Sequence, residues 1–212
     1  MNKTQYFWDK QAKKYDYSER QFEPVFKKVI TKTKTYLNAN DLVLDYGCAT
    51  GTKTLQLAES IKHIHGIDIS SGMISYAIKK KDEAGINNVD FLQGTIFINE
   101  FKDASFDKIV AYGIIHLLDD KEKVFERIQG LLKPNGLFIS TTACLKDKMA
   151  IKNRLEFTAY LFIKKIGIFP LHLNILSAID VEKMIQSYNF KIVEAETIFD
   201  GITVSFIIAK KI

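Results

Sequence analysis

The run from Asp41 to Ser71, DLVLDYGCATGTKTLQLAESIKHIHGIDISS, admits few folds. Leu42, Val43 and Leu44 read as a buried strand ending in the acidic Asp45, followed by a turn of small residues, Gly47, Cys48, Ala49, Thr50 and Gly51. A helix is expected from about Thr52 to Ser60, then a second strand closing on Gly66, Ile67 and Asp68. This is a βαβ unit whose first turn lets a ligand touch the backbone. A dinucleotide site asks for G-x-G-x-x-G, so that a pyrophosphate rests on bare amides at a helix N-terminus. Here Ala49 stands between Gly47 and Gly51, and Thr52 holds the place of the third glycine. Asp45 at the mouth would repel a phosphate and attract an ammonium group. A ligand with a nucleoside at one end and an amino acid at the other suits both facts. Asp68, roughly twenty residues beyond the first glycine, is placed to accept hydrogen bonds from ribose hydroxyls.

Asp45 to Gly51 resembles the D-x-G-x-G-x-G motif of class I S-adenosylmethionine-dependent methyltransferases, with alanine at the middle glycine. Other segments are similar to that family in turn. Asp68, Ile69, Ser70 and Met73 resemble its second motif, in which the methionine packs on adenine. Gln93, Gly94, Thr95 and Ile96 stand where relatives carry Gly-Asp-Ala, with Thr95 at the place of an acid that accepts from the adenine amino group. A hydroxyl accepts more weakly than a carboxylate. Ser105 to Ala111 resembles the SFD-x-V strand, opening into Tyr112, Gly113, Ile114, Ile115, His116 and Leu117. Gly47, Asp68, Gly94 and Tyr112 would all lie at strand C-termini, where open parallel sheets bind ligands. The resemblance implies cofactor contacts from Asp45, Gly47, Cys48, Ala49, Gly51, Asp68, Ile69, Met73, Gly94, Thr95, Ile96 and Tyr112.

The implied fold is α/β: a Rossmann-like, seven-stranded, mostly parallel sheet with an antiparallel C-terminal hairpin and helices on both faces. A helix over Lys121 to Leu132 ends at Lys133, Pro134, Asn135 and Gly136, before a fifth strand from Leu137 to Ser140. Phe190 to Phe199 and Ile202 to Lys210 are β-rich runs joined by Asp200 and Gly201, a hairpin signal that a dinucleotide domain would not end on. At 212 residues, with no break in composition, one domain covering 1–212 is expected.

Two accessory segments are expected. Residues 1–37 form an N-terminal helical cap: Phe7, Trp8, Asp9, Ala12, Tyr15 and Asp16 resemble an element that covers the cofactor and shapes the acceptor pocket in relatives. By pattern alone it is an amphipathic helix with aromatics, so Tyr15 fits packing as well as chemistry. Residues 145–177 form an insertion that in relatives is a lid. Ile151, Leu155, Ala159, Phe162 and Ile166 fall at helical spacing, with Lys148, Lys152, Arg154, Lys164 and Lys165 elsewhere. Such a helix packs on its own domain or rests on a membrane surface as a peripheral contact. An apolar lid implies an apolar or aromatic small-molecule acceptor.

Methyl transfer from a sulfonium needs donor and acceptor held in line, and orientation supplies roughly 7 to 11 kcal/mol. His116 is the candidate general base, with Tyr15 the second catalytic candidate; a structural role in its loop is the other reading of His116. His63 and His65 alternate along a strand and face one side, yet no third ligand follows in sequence, so no metal is expected. Cys48 and Cys144 belong to no CxxC pair and read as reduced packing residues. The net charge of +5 is spread over short lysine runs without interleaved aromatics, so no nucleic acid is expected. No signal core or bilayer-length apolar run is visible, and a cytoplasmic protein of open oligomeric state is expected. A domain of this kind that binds the cofactor or its product without catalysis, as sensor or scaffold, is the alternative; a nicotinamide-dependent reductase is disfavoured by the turn spacing.

Overall fold

The computed structural model describes residues 3–165 and 172–212. Its strands are β1 (Leu42–Tyr46), β2 (His63–Asp68), β3 (Val89–Gln93), β4 (Phe106–Tyr112), β5 (Leu132–Ala143), β6 (Phe190–Asp200) and β7 (Ile202–Lys211), in the spatial order β3-β2-β1-β4-β5-β7-β6. Pairings β1–β2, β1–β4, β2–β3 and β4–β5 are parallel, and β7 runs antiparallel between β5 and β6. The order reverses direction between β1 and β4, the switch point at which such sheets open a crevice.

The central strands are buried on both faces and carry continuous apolar runs, as a sandwiched parallel sheet requires. On one face, Val25, Val29 and Ile30 of α2 (Glu23–Lys34), Leu57 and Ala58 of α3 (Thr52–Ala58), and Ile74 and Ala77 of α4 (Ser71–Glu83) pack on Val43, Ile64, Val110 and Phe206. On the other, Val124, Phe125 and Ile128 of α5 (Lys121–Leu131) and Val181 and Ile185 of α7 (Ala178–Ser187) pack on Leu44, Ile109, Phe138 and Ile207. The edge strand β6 alternates in exposure, and its Glu194 and Glu196 pair with Lys28 and Lys32 of α2. Charges on an edge discourage pairing with another chain.

The terminal hairpin turns at Gly201, whose φ of +75° suits glycine. β5 departs from the expected strand: it begins at Leu132, directly after α5, and bulges through Lys133 to Gly136 before the main pairing resumes at Leu137. Leu132 pairs with Phe106, so backbone pairing extends through a segment whose Pro and Gly read as a stop.

Among the described residues, two helices lie outside the central layers. α1 (Lys3–Glu19) crosses α4, burying Ala12 against Ala49 and Met73, with Trp8 and Tyr15 alongside. α6 (Ile151–Lys165) follows β5, and it sits differently from the stripe its spacing suggests. Ile151, Leu155 and Phe162 are 82%, 67% and 67% exposed. Phe157 and Tyr160, three residues apart and on one face, point inward instead. Ile166 and the other residues of the segment 166–171 lie outside the described residues.

Candidate active site

The βα turn is shaped by bonds back to the neighbouring strand. The amides of Gly47 and Cys48 both donate to the Ile67 carbonyl (2.8 and 3.0 Å), which bends the chain sharply off β1. Gly47, Ala49 and Gly51 have φ of +78°, +49° and +75°. At Ala49 the left-handed conformation costs about 1–2 kcal/mol relative to glycine. Its amide offsets part of this by donating to Asp68 Oδ2 at 3.0 Å.

Asp68 holds the centre of the site. Its Oδ1 accepts from the Ser70 amide (2.9 Å) while Oδ2 accepts from Ala49. Both bonds favour the ionised form, yet burial dominates and lifts its pKa to about 6. The neighbouring helix α4 is capped by Ser70, whose hydroxyl accepts from the Met73 amide (3.1 Å).

Around this carboxylate lies a cavity of about 310 Å³ lined by Gly47, Ala49, Asp68, Ile69, Met73, Gly94, Thr95 and Tyr112, with Trp8 and Tyr15 from α1 closing one side. Eight of the twelve expected cofactor contacts are therefore brought together. The other four lie behind the wall. Asp45 is 1% exposed and accepts from the Thr54 hydroxyl (2.6 Å); burial raises its pKa to about 6, so it supports the turn instead of meeting an ammonium group at the mouth. Cys48 is buried, and its thiol pKa is raised by that burial. Gly51 caps α3, and a Cβ there would stand 2.6 Å from Phe91 Cζ. Ile96 is buried in the core, its carbonyl accepting from Arg127. The Thr95 hydroxyl accepts from the Phe97 amide at a long 3.4 Å.

A second cavity, about 660 Å³, adjoins the first and shares Trp8, Tyr15, Tyr112, Gly113 and Leu117 as walls. Phe22 and Phe26 approach from the α1–α2 side, Phe157 and Tyr160 from α6, and Leu173 from beyond it. No lysine or arginine is among its described lining residues. Both catalytic candidates reach it. The Tyr15 hydroxyl donates to Glu19 (2.9 Å), and Glu19 pairs with Lys53 (2.6 Å). Burial, then the charge of Glu19, raises the Tyr15 pKa, so the phenol keeps its proton. His116 lies in a short 3-10 turn after β4. Burial lowers its pKa to about 4, and its buried Nδ1 makes no hydrogen bond to the described residues. The imidazole is thus neutral at pH 7.

Asp9 of the cap pattern and Asn174, which no motif marked, complete the surroundings. Asp9 accepts from the Ser70 hydroxyl (2.6 Å) and the Gly72 amide (2.9 Å), fastening α1 to the start of α4. Asn174 fastens the His116 turn: its amide donates to the His116 carbonyl (2.7 Å), and its side chain donates to the Leu118 carbonyl (2.7 Å). His172 is exposed, with Nε2 3.2 Å from Asn174 Oδ1. No local pattern marks Asn174; its partners are 56 and 58 residues away.

A parallel sheet with this strand order, one antiparallel strand, a small-residue turn after β1 and a carboxylate ending β2 defines a methyltransferase-type Rossmann-like fold. The chain belongs to the methyltransferase domain family, whose model matches residues 37–193. It is 35% identical over 115 residues to phosphoethanolamine N-methyltransferase of Plasmodium falciparum, covering 53% of this chain and 42% of that one. It is 34% identical over 113 residues to demethylmenaquinone methyltransferase of Lactococcus lactis, covering 50% and 44%. The chain thus spans less than half the length of either relative. In fold it is similar to a SAM-dependent methyltransferase from Aquifex aeolicus, with a TM-score of 0.69, 17% identity and coverage of 96% and 98%.

Proposed function

We propose that this chain uses S-adenosylmethionine to methylate a small apolar or aromatic acceptor by direct displacement. The observation that carries this reading is the junction of two cavities, one built around Asp68 and the other apolar, at Tyr15, Tyr112 and Leu117. The residues present suit the cofactor: Asp68 faces the first cavity as a ribose acceptor, and Ile69 and Met73 give apolar walls for a purine. When bound, the cofactor supplies an electrophilic methyl group on a sulfonium. The chain's own part is to hold the acceptor beside it and keep water out. His116, a neutral imidazole lining the second cavity, is the candidate to take the proton that a hydroxyl or ammonium acceptor gives up. Tyr15, tied to Glu19, orients the acceptor rather than accepting its proton. Residues 1–37 serve as the cap and 145–177 as the lid of a single domain spanning 1–212.

Between the acceptors in the relatives' names, the second cavity favours the apolar one. A phosphate monoester calls for Lys or Arg donors, and the described lining has none. Methyl-labelled S-adenosylmethionine supplied with a demethylmenaquinone-type quinol and, separately, with phosphoethanolamine tests this. Label in the quinol is expected, and label in phosphoethanolamine alone overturns the acceptor class. If calorimetry detects S-adenosylmethionine binding but no acceptor becomes labelled, the domain is a binding module without catalysis.

The exposed face of α6 suits peripheral contact with an anionic membrane. Ile151, Leu155 and Phe162 project outward, and the segment Lys146 to Lys165 carries six basic residues against two acidic. Among the described residues no helix is long and apolar enough to cross a membrane, so contact would be at the surface. Co-sedimentation with phosphatidylglycerol vesicles, lost in Leu155→Glu, tests it; equal pelleting of both proteins overturns it.

A further inference from the structure

We propose that His63, His65 and Asp90 form a binding site for a divalent transition-metal ion of the zinc type, at the end of the sheet away from the cofactor cavity. Alternation along β2 puts both imidazoles on one face. The third donor comes from the neighbouring strand, because the parallel register sets Asp90 of β3 directly beside His65. His63 Nε2 lies 2.9 Å from Asp90 Oδ2, and His65 Nδ1 lies 3.9 Å from the same oxygen. The three donor atoms fall within 4.8 Å of one another. Zinc bonds near 2.0–2.1 Å at tetrahedral angles put neighbouring donors roughly 3.3 Å apart. The two spacings to Asp90 Oδ2 lie on either side of that value.

A second observation also points to a ligand. Among the described residues the buried Nδ1 of His65 has no hydrogen-bond partner, a costly state for a ring nitrogen. The rings of Phe101 and Phe106 pack on it at 5.6 and 6.0 Å and fix the imidazole without offering a polar atom. A metal would fill that role. Two imidazoles and one carboxylate suit zinc, cobalt or nickel better than calcium or magnesium, which prefer all-oxygen sets. Three protein ligands leave one tetrahedral position for water.

The site lies near the start of β2, while Asp68 ends that strand, about 16 Å further on at 3.3 Å per residue. The ion is therefore too remote for methyl transfer. Its effect is to tie β3, an edge strand of only five residues, to β2.

The test uses the full chain, stripped with a chelator and titrated with Zn²⁺ against a chromophoric competitor, with melting followed in parallel. One ion per chain is expected, at micromolar affinity or tighter, with a rise in Tm. Asp90→Asn and His65→Gln, both near-isosteric, are expected to weaken binding tenfold or more and abolish the Tm rise, with circular dichroism confirming that each variant folds. No zinc bound at micromolar concentration, or equal binding by both variants, overturns the proposal. S-adenosylmethionine affinity is expected to be unchanged in both variants, so this result is separable from the cofactor assignment.

Discussion

The carboxylate of Asp9 accepts the backbone amide of Gly72 at 2.9 Å, one of several bonds that seat α1 over the first cavity. Gly72 permits the approach: a Cβ there would stand 3.2 Å from Ala12 Cβ and 3.4 Å from the Asp9 backbone. Trp8 and Tyr15, which close the cavity, are carried by the same helix. Asp9→Ala removes both the Gly72 and Ser70 bonds, leaving α1 attached through the packing of Ala12, Trp8 and Tyr15 and through Asp16 with Thr50 and Lys80 and Glu19 with Lys53. S-adenosylmethionine is expected to dissociate about tenfold faster, consistent with about 1.4 kcal/mol lost. Stopped-flow fluorescence of Trp8, the sole tryptophan, reports it.

Asp68→Ala is expected to weaken cofactor binding at least tenfold, since a hydrogen bond to a charged group contributes about 1.5–3 kcal/mol. An unchanged dissociation constant in calorimetry would remove Asp68 from the ribose role.

Affinity should also depend on pH. Burial holds Asp68 at about 6 in the empty protein, so its proton competes with a ligand that needs the carboxylate. Binding is expected to weaken about tenfold per pH unit below 6 and to level off above it. In Asp68→Asn the slope should shrink. Stability of the empty protein runs the other way. The raised pKa values of Asp45 and Asp68 give a stabilising contribution that is full below the ordinary 3.8 and lost as pH rises through about 6. His116, held at about 4, opposes them: its contribution is present above 6.5 and lost as pH falls through 4. Thermal melts from pH 4 to 7, with and without cofactor, separate the effects.

His116→Ala is expected to lower turnover by about 10² or more while leaving cofactor affinity within about twofold. Because the imidazole sits at about 4, the rate at saturating cofactor should show no inflection from His116 near its ordinary 6.5. If turnover is unchanged, the residue serves only its loop.

Gly51→Ala tests the turn. The added Cβ would meet Phe91 Cζ at 2.6 Å and Ala77 Cβ at 2.9 Å, at a φ of +75°. A loss of about 2 kcal/mol is expected from overpacking and backbone strain. That corresponds to a Tm lower by about 4–8 °C in a chain this size.

The sheet was legible because its signals are local: apolar strands, the turn after Asp45, and Asp200-Gly201 at the hairpin each act over a few residues. The lining of the first cavity was largely legible for the same reason, since Gly47, Asp68, Gly94 and Tyr112 all end strands. What stayed hidden depends on pairing across the chain. Asp45 reads as a mouth residue, yet Thr54 draws its carboxylate inward from nine residues on. The α6 spacing marks an apolar stripe but not which way it faces, and Phe157 and Tyr160 turned inward instead. Asp90 became a neighbour of His65 only through strand register.

Asn174 grips the backbone of His116 and Leu118 while its neighbour Leu173 forms part of the wall of the second cavity. The wall of the second cavity and the turn that carries His116 therefore hang from two adjacent residues, so a change at one is felt at the other.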